Sequence, residues 1–315
     1  MTNAHSTPEF SILYMGMPIG GELSRRPLAA LIDSGIHVCA VVVPGLETDL
    51  DPVPLDPPDL DIPDFAFVPV VSQYLTPSAI TLAWEHHLPL LSLGAFGPTA
   101  REALAAFQPD VICVSCFSRI IPPAILNLPK HGAVNLHPSL LPRYRGPMPL
   151  FWQFRNGESR TGVTLHYMSE RVDAGDILSQ MDVPFPDGIS GTEAEELCAD
   201  AGARLMVEGV NLIRGGTPPR RPQNEADSSY HPLPSRAELT LHTNQPARRA
   251  FNFIRGAASM AGSVPFEIVT GETMFRVHDA VEYSANAMLG EPYRREGDEV
   301  SIQFEPGVLK VKMAE

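Results

Sequence analysis

The sequence predicts an α/β protein with an open, mostly parallel sheet, followed by a small β-rich, barrel-like C-terminal domain. Three observations lead to this fold class. Apolar strand patterns alternate with helical patterns up to about residue 215, a polar Pro-rich stretch follows, and short strands separated by turn signals end the chain. We therefore expect a first domain at 1–216, a linker at 217–236 and a second domain at 237–315.

The first three elements predict how the sheet begins. Residues 10–16, FSILYMG, are almost continuously apolar, as in a strand buried on both faces. A helix is expected at 24–35, ending near Gly35, and a β-branched strand at 36–45. Strand, helix and strand in this order predict two parallel strands joined by a right-handed crossover, which is the arrangement of a Rossmann-like sheet.

Hydrophobic periodicity predicts the remaining elements. In the first domain we expect strands at 65–71, 88–94, 111–117, 132–137, 160–168 and 176–185, and helices at 79–87, 97–110, 149–157 and 192–216. Thr192 is the expected N-cap of the last of these helices. Beyond the linker we expect a helix at 244–257 and strands at 264–269, 273–283, 299–304 and 307–313.

Composition limits the classes of protein. The chain has 315 residues and four cysteines, and it has no apolar run long enough to span a membrane and no secretory leader pattern at its start. We expect a cytoplasmic protein with reduced thiols. Cys113 and Cys116 form a C-x-x-C, but they would face opposite sides of a strand, and no second pair completes a zinc site. No metal site is therefore expected.

The distribution of charge disfavours nucleic acid as a partner. The formal net charge is -14, and no Lys or Arg lies between Arg26 and Arg101. Nine acidic residues occupy that interval, and the loop at 44–64 is rich in both Asp and Pro. Such a surface repels phosphate backbones.

Asn135 and His137 are the first candidates for chemistry. They stand two residues apart on a predicted strand, so their side chains leave the same face. Pro138 keeps His137 extended, and the strand then ends at the carboxyl edge of the sheet, where open α/β sheets bind ligands. An amide N–H stabilises an oxyanion and an imidazole takes a proton, a combination suited to acyl transfer. The alternative is that both residues merely cap a strand end.

A predicted turn at 170–178 supplies a carboxylate. Asp173 and Asp176 flank Gly175 there, and a carboxylate could orient His137 or a water molecule. The alternative is an ordinary polar turn.

These residues resemble the 10-formyltetrahydrofolate-dependent formyltransferase family. The family signature Asn-x-His-x-Ser-Leu-Leu-Pro stands here as NLHPSLLP, residues 135–142, followed by Arg143 and Gly146. The family's third catalytic residue is an Asp in a D-x-G turn after a TG-x-T strand, and Asp173 falls on that position. The resemblance implies the formyltransferase fold, with the catalytic triad Asn135, His137 and Asp173.

The resemblance also implies the roles of these and other residues. Asn135 and His137 would stabilise the oxyanion, and Asp173 would orient a proton relay through His137 or water. The donor would be 10-formyltetrahydrofolate, with no metal. Residues expected to contact the folate are Phe117, Ser118, Arg119, Ile120, Ile121 and Asp173, and those expected to contact the acceptor are Ser139, Arg143 and Arg145.

The acceptor is where the sequence departs from the subfamily that its C-terminal region resembles. The C-terminal strands resemble those of methionyl-tRNA formyltransferases, but they form a shorter domain. Those enzymes carry a basic insertion where this chain has the acidic loop 44–64, and residues 201–315 hold 13 Lys+Arg against 14 Asp+Glu. We therefore expect a small amine acceptor, an amino sugar or an amino-acid-derived amine.

Four other functions remain as alternatives. They are a methionyl-tRNA formyltransferase, a formyltetrahydrofolate hydrolase in which water replaces the amine, a nicotinamide-dependent dehydrogenase and a non-catalytic binding protein, against which the intact triad argues. The dehydrogenase is the weakest of these, because the segment GMPIGG at 16–21 is not a G-x-G-x-x-G motif.

Overall fold

The computed structural model describes residues 10–18, 21–46, 51–57 and 77–314, so the strand predicted at 65–71 lies outside the described residues. The strands of the first sheet are β1 Ser11–Gly16, β2 His37–Pro44, β3 Val53–Pro54, β4 Leu90–Leu93, β5 Val111–Ser115, β6 Ala133–His137, β7 Arg160–Tyr167 and β8 Ile177–Pro184. The helices are α1 Glu22–Asp33, α2 Ala79–Glu85, α3 Pro98–Ala106, α4 Pro123–Leu126, α5 Pro149–Asn156, α6 Gly191–Arg214 and α7 Ala247–Ala261.

Within the described residues, the first sheet has eight strands in the order β3-β4-β2-β1-β5-β6-β7-β8. The pairs β1–β2, β1–β5, β2–β4 and β5–β6 are parallel, whereas β3–β4 and β6–β7 are antiparallel. The predicted mostly parallel α/β sheet is therefore confirmed, and its first two strands pair as the crossover rule requires. All six residues of β1 are buried, as the continuous apolar run predicted.

Side-chain hydrogen bonds hold α1 against the centre of this sheet. The Tyr14 hydroxyl donates to the Ser24 carbonyl and the Ser115 hydroxyl donates to the Leu23 carbonyl, each at 2.6 Å. Complete burial raises the pKa of Tyr14 well above its usual value. The first turn of the helix is thus fixed to β1 and β5 by bonds that contribute about 1 kcal/mol each.

Part of the acidic loop joins the edge of the sheet. β3 pairs antiparallel with β4, and Trp84 Nε1 donates to the Leu55 carbonyl at 2.9 Å. The sequence predicted an extended Pro-rich loop, and within the described residues 51–57 it supplies this short edge strand.

The described residues form two compact units. The first comprises residues up to Pro142 together with 163–181 and 198–228, and the second comprises 143–162, 182–197 and 229 onward. Residues 217–228 belong to the first unit, where Arg221 and Ile177 exchange two backbone hydrogen bonds of 2.8 and 3.0 Å.

The second sheet confirms a β-rich C-terminal region. Its six strands follow the order β12-β13-β14-β11-β10-β9, and only β9 and β10 run parallel among its described pairs. The bounds are β9 Thr240–His242, β10 Phe266–Thr270, β11 Thr273–Ser284, β12 Tyr293–Glu296, β13 Glu299–Gln303 and β14 Val308–Met313. The sequence did not predict β9 or β12, which are short strands at the two sheet edges.

The predicted N-cap of α6 is wrong by two residues. Ser190 Oγ accepts from Glu193 N at 3.2 Å, and the Glu193 carboxylate accepts from Ser190 N at 2.9 Å. These bonds form a capping box at Ser190 rather than at Thr192. Both positions have a Glu three residues later, so the sequence pattern alone did not distinguish them.

Candidate active site

The first two candidate residues lie at the carboxyl end of β6. Asn135 is half-buried and His137 is 4% exposed, and the strand is paired on both sides. In the register with β7, Asn135 lies opposite His166 and His137 opposite Thr164. Because alternate residues of a strand share a face, the amide and the imidazole project to the same side, as predicted.

The chain turns immediately after His137 and is bonded back to β7. Ser139 N donates to the His137 carbonyl at 2.8 Å, and the Thr164 hydroxyl donates to the Ser139 carbonyl at 2.6 Å. Gln180 Nε2 in turn donates to Thr164 Oγ1 at 2.9 Å and to the Leu141 carbonyl at 2.8 Å. Ser139 itself is completely buried. These bonds fix the backbone that carries His137.

The third candidate lies in the turn between β7 and β8. Asp173 has a φ of 51°, in the left-handed region where Asp is tolerated better than most residues. Gly175 lies so close to the backbone of Tyr167 that an added Cβ would be 1.8 Å from the Tyr167 carbonyl oxygen, so only glycine fits at this position. Gln223 Nε2 donates to the Asp173 and Gly175 carbonyls, both at 2.8 Å.

The fold brings the three candidates together. His137 Nδ1 lies 3.7 Å from Asp173 Oδ2, which is within ion-pairing distance but longer than a hydrogen bond. The Asp173 side chain is only 12% exposed, so its charge is weakly screened by solvent. A carboxylate in this position stabilises an imidazolium and can orient the ring.

A second histidine completes the cluster, and the sequence analysis missed it. His166 is 1% exposed, and its Nε2 lies 3.2 Å from Asn135 Nδ2 and 3.7 Å from Asp173 Oδ1. Its other nitrogen, Nδ1, is 2.9 Å from the Tyr167 carbonyl oxygen. His166 stands within the predicted strand 160–168, but only the antiparallel register with β6 reveals that it faces Asn135.

The predicted folate-contacting segment follows β5. Arg119 donates from Nη1 to the Gly94 carbonyl at 2.6 Å and from Nη2 to the Gly45 carbonyl at 2.5 Å. Since Gly45 and Gly94 follow β2 and β4, this guanidinium ties the segment to the carboxyl ends of two neighbouring strands. The Arg119 head group therefore binds backbone of its own unit.

The other residues of that segment differ in exposure. Ile120 is 80% exposed, whereas Ile121 is 4% exposed and lies in the core cluster. Ser118 is exposed, and Phe117 is partly buried with its ring centroid 6.1 Å from that of Phe96. An exposed isoleucine beside an aromatic pair offers apolar surface for a flat ring.

The two predicted acceptor-binding arginines belong to the second unit. Arg143 is exposed and forms an ion pair with Glu158. Arg145 is only 5% exposed; its backbone N–H donates to the Ser229 carbonyl, and its carbonyl accepts from His231 N, both at 2.9 Å.

The cluster can support acyl transfer without further groups. An amide, two imidazoles and a carboxylate supply an oxyanion donor, a proton acceptor and an orienting charge. In the part of the chain that the structure describes, no group of three or more His, Cys, Asp or Glu residues could hold a metal ion. No helix of that part is long and apolar enough to cross a membrane.

Relatives of known activity share this segment. A family model described as formyl transferase matches residues 75–210, which include every candidate on β6, in the turn and after β5. A methionyl-tRNA formyltransferase from Syntrophus aciditrophicus is 32% identical over 267 residues, which cover 84% of this chain and 78% of the relative. Another, from Moorella thermoacetica, is 41% identical over 173 residues, 55% of each chain.

A solved structure shows the same fold over nearly the whole length. It is the N-formyltransferase from Helicobacter canadensis in complex with folinic acid and dTDP-3-aminofucose. The TM-score is 0.66 at 16% identity, with 97% of this chain and 99% of that chain covered. The relative from Syntrophus aciditrophicus is matched over 78% of its own length at 32% identity. This match identifies the chain as a member of the formyl transferase family.

Proposed function

We propose that the protein transfers the formyl group of 10-formyltetrahydrofolate to the primary amine of a small molecule. Its family makes it a formyltransferase, and the folate donor is part of this proposal. The main support for this chemistry is that Asn135, His137 and Asp173 lie close together within the first unit, with the His137 imidazole 3.7 Å from the Asp173 carboxylate.

The proposed reaction balances without an oxidant or a metal. The amine nitrogen attacks the formyl carbon, and the new C–N bond leaves a negative charge on the formyl oxygen. Asn135 and His137 stabilise that oxyanion by hydrogen bonds. Collapse of the intermediate breaks the bond to N10, and the amine's proton passes to N10 through His137 or water, while Asp173 stabilises the charged imidazole.

The segment after β5 is proposed to bind the folate. Arg119 holds the segment against the ends of β2 and β4, so that Phe117 and Ile120 present apolar surface. Ser118 and Ile121 belong to the same proposed folate-binding segment; Ser118 is exposed, whereas Ile121 lies in the core. Asp173 would lie beside the reacting end of the bound folate.

Charge supports a small acceptor rather than tRNA. The loop 44–64 contains no Lys or Arg, and its strand β3 pairs with β4 at the edge of the sheet. Many surface cations of the second unit lie in ion pairs that neutralise them: Arg143–Glu158, Arg160–Asp182, Arg248–Asp187, Arg276–Glu267, Arg294–Glu291 and Lys310–Glu299. Paired cations attract phosphate less than free ones. Ser139, Arg143 and Arg145 remain the proposed acceptor-binding residues.

Methionyl-tRNA is the second candidate acceptor, because the relatives from Syntrophus aciditrophicus and Moorella thermoacetica, 32% and 41% identical to this chain, carry that name. One experiment separates the acceptors. Purified protein is given 10-formyltetrahydrofolate with amino sugars, nucleotide-linked amino sugars, amino-acid-derived amines, methionyl-tRNA or no acceptor, and tetrahydrofolate and N-formyl product are quantified. We expect equal amounts of both products with one small amine class.

The other outcomes assign the alternatives. Turnover with methionyl-tRNA alone would contradict the charge argument and make the protein a translation-initiation enzyme. Tetrahydrofolate and formate without any amine would indicate a hydrolase. The Asn135→Ala variant serves as the background control: it lacks the amide, and we expect β6, which is paired on both sides, to keep its fold.

A further inference from the structure

We infer that His166 is a positioning residue for formyl transfer, because it determines which end of the Asn135 amide faces the reacting centre. The inference rests on the proposed function for its kinetic consequences, whereas its structural claim can be tested without turnover.

The first step concerns the protonation of His166. The Tyr167 carbonyl oxygen, 2.9 Å from Nδ1, can only accept a hydrogen bond, so Nδ1 carries the proton. A neutral imidazole with a proton on Nδ1 has a lone pair on Nε2. Because His166 is 1% exposed, bulk water competes little for this arrangement.

The second step concerns the amide. Asn135 Nδ2 lies 3.2 Å from His166 Nε2, so an amide N–H donates to the imidazole lone pair. If the amide rotated by half a turn, Oδ1 would face that lone pair and the two acceptors would repel each other. His166 therefore selects one of the two amide orientations that an isolated asparagine would occupy almost equally.

The third step concerns the effect on catalysis. The amide nitrogen carries two protons, and His166 engages one of them. The second proton points away from His166 and provides the donor for the formyl oxygen as negative charge develops there. An amide fixed before the reaction needs no reorientation in the transition state, which is the source of an oxyanion donor's effect.

Asp173 links the two histidines. Its Oδ2 lies 3.7 Å from His137 Nδ1 and its Oδ1 lies 3.7 Å from His166 Nε2. Neither distance is a hydrogen bond, so the carboxylate lies beside both rings and acts on them through its charge. Asn135, His137, His166 and Asp173 consequently act as one unit, and the effects of their substitutions should not add.

The structural claim is tested by NMR on protein with ¹⁵N-labelled histidine. We expect His166 to be neutral at pH 7.5 with its proton on Nδ1, and we expect its Nε2 resonance to shift in Asn135→Ala. A proton on Nε2, a doubly protonated ring or an unchanged Nε2 resonance would overturn the inference. This outcome does not depend on whether any amine is formylated.

The kinetic claim is tested with His166→Leu and His166→Gln. We expect His166→Leu to lower kcat by about 10- to 100-fold, a part of the effect of losing an oxyanion donor, with KM for the folate donor changed by less than about 3-fold. His166→Gln retains an acceptor oxygen and should recover most of the lost rate. The double variant His166→Leu/Asn135→Ala should be no slower than Asn135→Ala alone.

The control is His131→Leu, which removes a histidine of the same unit whose ring lies 5.8 Å from Phe10. It should leave kcat unchanged. A wild-type rate in His166→Leu, or fully additive losses in the double variant, would overturn the inference. A wild-type protein that formylates none of the acceptors would instead refute the proposed function, and the NMR result would still decide the role of His166.

Discussion

The two halves of the candidate active site are held in place in different ways. β6 carries Asn135 and His137 between two paired neighbours, so strand alternation sets the face from which both side chains project. Asp173 lies on a turn and itself has a positive φ. The turn also depends on the close packing of Gly175 against the Tyr167 carbonyl and on hydrogen bonds from Gln223, which is 50 residues further along the chain than Asp173. The strand is thus positioned by regular structure, and the turn by a few specific contacts.

This difference indicates which part of the site is more easily displaced by a substitution. A substitution beside Asn135 must disrupt a sheet before the amide moves. By contrast, we expect a substitution at Gly175 or Gln223 to move the Asp173 carboxylate without changing any group proposed to take part in the reaction. Four predictions test this comparison.

The largest effect should come from the reacting groups themselves. Asp173→Asn keeps the size of the side chain but removes its charge, so the imidazolium loses its stabilising partner. We expect kcat to fall by about 10²- to 10⁴-fold, the range for general acid–base groups, with folate affinity retained. Steady-state kinetics and folate binding by calorimetry measure the two quantities. Asp176→Asn, the same change three residues later in the turn, should stay within about 3-fold of wild type, and equal losses in the two variants would contradict a specific role for Asp173.

The next largest effect should come from Gly175→Ala. The added Cβ would lie 1.8 Å from the Tyr167 carbonyl oxygen, so the turn must shift. We expect the free energy of unfolding to fall by about 1–3 kcal/mol. We also expect kcat to fall by about 10- to 100-fold, since moving a catalytic group by about 1 Å lowers the rate by up to about 100-fold. Denaturant unfolding and kinetics give both values. Gly290→Ala is the control, because a Cβ there meets no heavy atom within 4 Å among the described residues.

Gln223→Leu should have a smaller effect on the same turn. It removes the donor to the Asp173 and Gly175 carbonyls, and leaves both without that partner. We expect about 1–3 kcal/mol of destabilisation and a fall in kcat of about 10-fold. The matched control is Gln245→Leu, whose amide donates to the His242 carbonyl in the second unit at 3.1 Å. If both glutamine variants kept wild-type kcat, the turn would not need the contact from residues 217–228.

Arg119→Met should have the smallest effect, and on binding rather than turnover. The guanidinium bridges the Gly45 and Gly94 carbonyls, so its loss loosens the segment proposed to bind folate. We expect KM for 10-formyltetrahydrofolate to rise by about 5-fold, near 1 kcal/mol of binding free energy, with kcat unchanged. Arg101→Met, at an exposed position of α3, is the control. A fall in kcat with constant KM would place Arg119 in the reaction instead.

The sequence predicted the strand half of the site better than the turn half. Hydrophobic runs and the break at Pro138 located the end of β6, because strand direction and side-chain alternation are local properties. The turn at Asp173 was also located from local signals. Its attachment to Gln223 was not, since a polar Pro-rich stretch carries no signal of what it will contact, and the segment 217–236 was interpreted as a linker.

Long-range pairing explains the other omissions. His166 faces Asn135 because β7 pairs antiparallel with β6 in one particular register. The two residues are 31 positions apart in the chain, and neither strand's sequence predicts the register in which it pairs with the other. The edge strands β9 and β12 have three and four residues, too few for a periodic pattern. The two candidate caps of α6 had the same spacing, and only the folded helix start distinguished Ser190 from Thr192.

The most direct test of the central claim is a single-turnover measurement of formyl transfer at saturating 10-formyltetrahydrofolate, with the amine identified by the acceptor experiment. Wild type, Asn135→Ala and Asp173→Asn are compared side by side. The account predicts that wild type forms tetrahydrofolate and N-formyl product in equal amounts only when the amine is present, and that both variants bind folate but react at least about 100-fold more slowly. Transfer at the wild-type rate by either variant would contradict it.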